Sequence, residues 1–311
     1  MKKRRFVQGE ANHIYQRTVS GFNIFYEIED YLVYYTIFSV MAIKYDVMVY
    51  GLCLMIDHVH SLCTFGSKSS FSGFMSNVTS LFVREYNGEH RRCGHLFCEN
   101  FGSAPKPGMK LLRTAISYLY NNPVERMLCR FSQEYRWNFL AYAHSMHPFS
   151  DRLILRKASC ALRKAIEEVN GSRERGVHMT YSQLKRLFSV LDAREKNQLV
   201  DYIIVKYSVI RYDVLTTQCY DGYQNMITAI NSNAGSEYEI DEHRWGKSDV
   251  AYRELYKYVH SHGCLSAGEV IALGLDEKVS LHNSMLSSTT ASSYQICKFL
   301  HLPCVPCSVR V

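Results

Sequence analysis

The spacing of apolar and polar positions in the first 150 residues changes repeatedly between two periods. Residues 47–56 are almost continuously apolar, which is typical of a strand buried on both faces. Residues 71–86 instead place Phe74, Val78 and Phe82 at helical spacing on one face. The pattern as a whole predicts strands at 13–18, 47–56, 58–65 and 96–101, and helices at 29–44, 71–86, 110–121 and 123–129.

The connections between these elements indicate how they assemble. Only Asp57 separates the strands 47–56 and 58–65, and so short a connection favours antiparallel pairing. The run Ala104–Gly108 predicts a break, and Pro123 predicts that the helix before it ends or is interrupted. These features predict an α+β fold, in which helices pack on a small antiparallel sheet.

Beyond about residue 150 the strand patterns fade and helix N-cap signals become frequent. Each signal is a Ser, Thr or Asp followed three residues later by Gln or Glu, which can satisfy free N–H groups of the first helical turn. We therefore expect a domain at residues 1–150 and a mostly helical one at 151–311, with a polar loop near 231–235. The signals are Thr180 with Gln183, Asp192 with Glu195, Ser266 with Glu269, and Ser292 with Gln295.

The segment 292–302 resembles the first helix and turn of a helix-turn-helix, which would make the second domain DNA-binding. Nine residues follow it, which is short for a recognition helix. A plain capped helix is therefore the favoured interpretation of this segment.

Composition and charge narrow the class of protein. The chain is 47% apolar and 21% charged, as globular proteins are. Its net charge of +7 comes mostly from residues 1–150, which have 16 Lys and Arg against 11 Asp and Glu, and suits a polyanionic partner. No apolar run reaches the length of a membrane span, so no membrane partner is expected.

The eleven cysteines form no regular framework, and the basic start of the chain is not followed by the apolar stretch of a signal peptide. These features predict reduced thiols and a cytoplasmic location. Cys304 and Cys307 form a lone C-x-x-C with no second pair at zinc spacing, and we interpret them as unligated thiols.

The first candidate for chemistry is the pair His58 and His60. Side chains alternate along a strand, so the two imidazoles lie on one face while Val59 points to the other. Two adjacent imidazoles are able to hold one divalent ion. A half-exposed strand edge is the alternative interpretation of the same pair.

The second candidate is the pair Tyr118 and Asn122, which lie four residues apart and share one face if the helix extends to residue 122. Together with two histidines they form a set suited to phosphodiester chemistry. A metal polarises a phosphate oxygen, a tyrosine attacks and forms a phosphotyrosine, and the Asn122 oxygen completes the metal shell. Tyr120 is the rival nucleophile but lies on the opposite helix face, and with 23 tyrosines in the chain packing is the alternative role.

Several stretches, in order, resemble the REP-associated tyrosine transposases, which are relatives of the single-tyrosine HUH (IS200-like) transposases. The resemblance covers roughly the first half of the chain. Tyr118 to Val124 resembles the Tyr-x-x-x-Asn-Pro-Val of the family's tyrosine helix. The other matching stretches are Asn12–Thr18, Asn23–Phe25 with Glu29–Tyr31, Leu54–His60, Arg91–Phe101 and Tyr135–Trp137.

This resemblance implies an HUH endonuclease-like fold that cuts and rejoins single-stranded DNA beside a hairpin. It makes His58, His60 and Asn122 ligands of Mg²⁺ or Mn²⁺ and makes Tyr118 the nucleophile. The cut leaves a 5′-phosphotyrosine and a free 3′-OH, so rejoining needs no nucleotide cofactor. Candidate phosphate contacts, for which a solvated basic surface is the alternative, are Arg17, Arg84, Arg91 and Arg92.

The chain also departs from the family pattern. Ile56 replaces a usual proline, residues 98–100 replace a more basic stretch, and residues 151–311 match no part of the shorter members. A non-cleaving protein that binds hairpin DNA or RNA on the same fold is therefore the alternative function. The sequence leaves the oligomeric state open, and a homodimer is one possibility.

Overall fold

The computed structural model describes residues 5–98, 101–232, 248–262 and 265–303. It confirms the α+β class: a four-stranded antiparallel sheet with helices, followed by a helical region. The strands lie side by side in the order β2-β3-β1-β4. They are β1 (Ala11–Arg17), β2 (Met48–Met55), β3 (His58–Thr64) and β4 (Gly102–Pro105).

The β2–β3 hairpin has the antiparallel pairing that the short connection predicts. Met55 lies opposite His58, and the turn between them is Ile56-Asp57. On its other edge β3 pairs with β1, where His58 lies opposite Arg17 and His60 opposite Tyr15. Residues that lie opposite each other share a face of the sheet, so both histidines share one face with the odd-numbered residues of β1.

Helices cover both faces of this sheet. On one face Gln16 Nε2 donates a hydrogen bond of 3.1 Å to Thr79 Oγ1, which attaches α2 (Lys68–Glu89). α1 (Ile28–Lys44) packs on α2, and its N-terminus is closed by a capping box between Glu27 and Asp30. α3 (Gly108–Glu125) packs on β2 and β3 from the opposite face. The predicted helix 110–121 therefore lies against the histidine strand.

Two predicted elements are wrong. Residues 96–101 form no strand among the described residues, only an isolated bridge between Thr18 and Phe97, and residues 99–100 lie outside the described ranges. The fourth strand is β4 instead, which begins before the predicted break and ends at Pro105 opposite Asn12. Proline is tolerated there because β4 is an edge strand, whose outward N–H groups have no partner to lose.

The predicted interruption at Pro123 is also wrong, since α3 runs without a break from Gly108 to Glu125 and no separate helix follows at 123–129. Proline inside a helix removes the hydrogen bond to the carbonyl four residues before it and crowds that carbonyl, at a cost of about 3 kcal/mol that packing must offset. The apolar side of α3 is buried through Leu119 and Tyr120, which holds the last turn in place.

Gly51 sets how closely α3 approaches the sheet. A Cβ at this position would lie 3.1 Å from Leu119 Cδ2 and 3.3 Å from the Tyr120 hydroxyl. We expect Gly51→Val to force the helix outwards and lower the free energy of unfolding by roughly 1–3 kcal/mol, measured by urea denaturation. Gly66→Val is the matched control, because no atom lies within 4 Å of a Cβ there. Equal stability of both variants would contradict this account of the helix position.

The region after residue 150 is helical, as predicted, wherever the structure describes it. All four N-cap signals are formed: Thr180, Asp192, Ser266 and Ser292 each accept a hydrogen bond from the backbone N–H three residues on. The helices are α4 (Cys160–Glu174), α5 (Tyr181–Phe188), α6 (Ala193–Tyr207), α7 (Tyr212–Val214), α8 (Tyr223–Ser232), α9 (Val250–His262), α10 (Ala267–Ala272), α11 (Leu275–Ser288) and α12 (Ser293–Leu300).

Two buried apolar clusters organise these helices. One runs from β1 to α8 and joins the sheet region to the helices, as in the 2.8 Å hydrogen bond from the Tyr35 hydroxyl to the Ile204 carbonyl. The other lies within α9 to α12 and contacts Tyr26 and Ile56. The boundary at residue 150 stays a prediction.

The structure also bears on the predictions about cysteines, membrane spans and the C-terminal segment. The cysteines of the described ranges form no disulfide. No helix in those ranges is both long and apolar enough to cross a membrane. Cys304 and Cys307 lie outside the described residues, as does most of the predicted loop 231–235, and α12 itself is a plain capped helix.

Candidate active site

His58 and His60 lie side by side on the face of β3 that α3 covers. Their ring centroids are 4.9 Å apart, and both side chains are buried. Each uses its Nδ1 atom to contact a neighbour. The His58 Nδ1 lies 2.5 Å from Asp57 Oδ1, and the His60 Nδ1 lies 3.0 Å from His13 Nε2. Both rings are therefore held in fixed orientations.

The other nitrogen of each ring, Nε2, is buried and has no hydrogen-bond partner among the described residues. Buried polar atoms are nearly always satisfied, so two such atoms at adjacent positions require an explanation. Histidines that bind metals have this arrangement, since one ring nitrogen is fixed by a hydrogen bond and the other faces the ion. The donor set thus fits a divalent metal at the two Nε2 atoms.

Burial keeps the imidazoles of His60 and His13 neutral. Burial, followed by the nearby His58, holds the pKa of His60 well below its usual range. Burial, followed by Lys106, lowers the pKa of His13 to about 3. A neutral imidazole has the free lone pair that a metal requires.

Tyr118 faces this pair from α3. Its ring lies 5.7 Å from that of His60 and 5.4 Å from that of His13, nearly perpendicular to both, and its side chain is half-buried. One turn further on, Asn122 Nδ2 donates a 2.9 Å hydrogen bond to the Tyr118 carbonyl. This bond occupies the amide nitrogen, so Oδ1 is the atom of Asn122 that a metal would use.

Tyr120 serves the fold instead. It is fully buried on the β2 side of α3, and its hydroxyl donates a 3.1 Å hydrogen bond to the Tyr50 carbonyl. No group of three His, Cys, Asp or Glu side chains within the described ranges is arranged to hold a metal. A third protein ligand at this site would therefore be of another type, and the amide oxygen of Asn122 is the candidate.

His13 is the member of this cluster that the sequence analysis missed. It lies on β1, on the same face as Tyr15 and Arg17, and it stacks on His60 with ring centroids 5.1 Å apart. The alternation of His13, Tyr15 and Arg17 was the available signal. This alternation shows that the three side chains share a face, but it places them beside His58 and His60 only when the pairing of β1 with β3 is known.

The C-terminal helix α12 also reaches the site. Lys298 Nζ lies 2.9 Å from Asp57 Oδ2, while the other oxygen of that carboxylate contacts His58. Burial alone would raise the pKa of Asp57, but His58 and then Lys298 outweigh it and hold that pKa well below its usual range. Asp57 therefore stays ionised. Its ion pair joins the turn before the histidine strand to α12, and the two paired residues are 241 positions apart in sequence.

We expect Lys298→Met, which keeps the aliphatic stem, to leave the Asp57 carboxylate with one partner fewer and to destabilise the protein by roughly 1–3 kcal/mol. Urea denaturation followed by circular dichroism measures this change. The matched control is Lys164→Met on the exposed side of α4. If both variants unfold at the same urea concentration, the ion pair does not hold α12 in place.

The structure separates the four candidate phosphate contacts. Arg17 lies opposite His58 at the end of β1 and so belongs to the site. Arg84 is exposed on α2, which covers the opposite face of the sheet from Tyr118. Arg91 is exposed in the loop after α2, and Arg92 binds Asn87 Oδ1 at 2.7 Å and the His95 carbonyl at 3.1 Å within that loop. Their contacts with DNA stay predictions.

A known transposase family matches part of this chain. Residues 13–122 match the model of a family described as "Transposase IS200 like", which confirms the resemblance that the motifs indicate. Among solved structures the chain is similar to one described as a REP-associated tyrosine transposase bound to a REP hairpin. That similarity has 13% identity and a TM-score of 0.38, and covers 44% of this chain and 80% of the other. No curated protein matches the chain.

Proposed function

We propose that the IS200-like segment, residues 13–122, is a metal-dependent centre that cuts and rejoins single-stranded DNA at hairpin-containing sites. The observation that carries this proposal is the position of Tyr118 on α3, 5.7 Å between ring centroids from His60, whose Nε2 is buried and unpartnered in the described structure. A tyrosine and two correctly oriented imidazoles meet on one face of the sheet.

Each residue has a role that follows from its surroundings. His58, His60 and the Asn122 oxygen would hold Mg²⁺ or Mn²⁺, with Asp57 and His13 fixing the two rings. When bound, the ion would supply charge that polarises a phosphate oxygen of the DNA. Oxygen ligands such as an Asn amide suit both of these hard cations.

Tyr118 provides the covalent step. Its hydroxyl loses a proton and its oxygen bonds to the phosphorus, while the bond from phosphorus to the 3′-oxygen breaks and that oxygen takes up a proton. The products are a 5′-phosphotyrosine and a free 3′-OH. Attack by a 3′-OH reverses the same bond changes, so the energy of the phosphodiester is conserved and strands are joined without a nucleotide cofactor.

A direct test traps the covalent product. The protein is incubated with Mn²⁺ and a pool of single strands that each carry a hairpin and random flanking nucleotides, then separated under denaturing conditions. We expect a covalent protein–DNA species that maps to Tyr118 by mass spectrometry of tryptic peptides. A stable complex that never becomes covalent, and whose affinity is unchanged by a chelator, would overturn the proposal in favour of the non-cleaving alternative.

A further inference from the structure

A cavity of about 360 Å³ lies between the sheet region and the C-terminal helices. Its floor includes Ile56 of the β2–β3 turn, and one wall is formed by α9. Its volume is within the range of about 300–1,000 Å³ that is typical of small-molecule sites. Six aromatic side chains with a polar edge dominate the lining: Tyr26, Tyr31, Tyr135, Trp137, Tyr252 and Tyr256.

Asp249 gives this aromatic cavity a buried carboxylate oxygen that has no hydrogen-bond partner in the described structure. It lines the cavity and is 5% exposed, and its Oδ2 accepts no hydrogen bond from any residue that the structure describes. Burial, with Asp57 as the next cause, raises the pKa of Asp249 to about 6. A ligand that donates a hydrogen bond to Oδ2 would offset the cost of burying this carboxylate.

Positive charge lies at the same wall. Arg253 and Lys257 line the cavity from α9 and are exposed to solvent, and Arg253 is held there by a 3.1 Å hydrogen bond to the Leu128 carbonyl. The cavity therefore combines aromatic ring faces, one hydrogen-bond acceptor in its interior (Asp249) and two cationic side chains at its rim. This combination fits a flat ring that carries an amino group and is attached to a phosphate.

We propose that this cavity binds one nucleobase of a single-stranded DNA substrate, with the base among the aromatic rings and its amino group at Asp249. The position supports this, because Ile56 lines the cavity and stands two residues before His58 in the same hairpin. The inference rests on the proposed function for the identity of the polymer. It adds a base-binding subsite formed partly by the C-terminal region.

The amino group sets an order of preference among the bases. A carboxylate accepts from the amino group of cytosine, adenine or guanine, whereas thymine has none. Stacking against aromatic rings is available to every base. We therefore expect the cavity to bind all bases by stacking and to prefer cytosine and adenine over thymine.

The test measures binding without metal or cleavage, using a Tyr118→Phe protein in EDTA, so it does not depend on the covalent chemistry. The probes are short homopolymeric strands of dC, dA and dT and a matching abasic strand, and the signal is Trp137 fluorescence in a Trp245→Phe background. We expect dC and dA to quench Trp137 and bind more tightly than dT, and the abasic strand to bind without quenching.

Two variants separate stacking from hydrogen bonding. Tyr256→Leu is expected to weaken the base-containing strands about 10-fold and leave the abasic strand unchanged. Asp249→Asn is expected to remove the preference for dC and dA over dT, since an amide accepts from an amino group and can also donate to a thymine carbonyl. Tyr258→Leu, on the same helix but outside the cavity lining, is the matched control.

Equal affinity for abasic and base-containing strands would overturn the proposal, as would an equal loss in Tyr256→Leu and Tyr258→Leu. Base-dependent quenching together with no covalent adduct in the wild type would support the cavity and refute the cleavage chemistry. A covalent adduct in the wild type, together with binding that does not depend on the bases, would support the cleavage chemistry and refute the base-binding cavity.

Discussion

Replacing Tyr118 by Phe is expected to abolish the covalent protein–DNA adduct and to reduce strand cleavage by at least about four orders of magnitude. The estimate treats the phenolic oxygen as the nucleophile itself, whose loss in a covalent mechanism leaves only the contribution of binding and electrostatics. The measurement is the yield of denaturation-resistant complex per hour with Mn²⁺ and a cleavable hairpin strand. DNA binding is expected to be retained, because the ring of Tyr118 is preserved in the variant.

Tyr120→Phe is the matched control for this experiment. It removes a hydroxyl two residues away on the same helix, one that donates to the Tyr50 carbonyl and is fully buried. We expect a loss of roughly 0.5–1.5 kcal/mol in unfolding free energy and an adduct yield close to that of the wild type. An adduct that persists in Tyr118→Phe and disappears in Tyr120→Phe would exchange the roles of the two tyrosines.

The sequence predicts the two halves of this site because each half has a local signal. The alternation of His58 and His60 requires only that the segment be a strand, and the four-residue spacing of Tyr118 and Asn122 requires only a helix. That α3 then lies against β3 was implied by the resemblance, and the contact between the rings of Tyr118 and His60 shows it in the structure. Local periodicity therefore accounts for which side chains point together within an element.

The parts that the sequence analysis missed depend on contacts between distant segments. His13 meets His60 only through the pairing of β1 with β3, and Lys298 meets Asp57 only through the packing of α12. β4 is short, begins at Gly102 and ends at Pro105, so its strand character comes from the edge of β1 and not from its own composition. Pro123 is helical because buried neighbours on α3 outweigh one lost hydrogen bond.

Removal of either proposed metal-binding imidazole is the second large effect that we expect. His58→Ala and His60→Ala each delete one of three proposed ligands and are expected to weaken Mn²⁺ binding at least about 100-fold, measured by isothermal titration calorimetry without DNA. Wild-type protein with Mn²⁺ at a hundred times its Kd should gain about 2.7 kcal/mol of stability by mass action. Both variants should keep at most about 0.4 kcal/mol of that gain.

His13→Ala tests whether the third histidine orients the site. It is not a proposed ligand, but it fixes the ring of His60 through the 3.0 Å contact at Nδ1. Loss of such an orienting partner typically weakens metal binding about 10–100-fold, so an effect smaller than that of His60→Ala is expected. His144→Ala, an exposed ring that stacks on Tyr223, is the control for histidine loss elsewhere.

The Mn²⁺ measurements on the wild type and on these histidine variants distinguish a metal site from a packed histidine cluster. Two buried Nε2 atoms without partners in the described structure cost the fold free energy unless something binds them. If they serve packing alone, Mn²⁺ should change neither the stability of the wild type nor that of the variants. If they face a metal, the stabilisation by Mn²⁺ should be largest in the wild type, smaller in His13→Ala, and smallest in His58→Ala and His60→Ala. The reason is that His13 only orients the ring of His60, whereas His58 and His60 bind the ion directly.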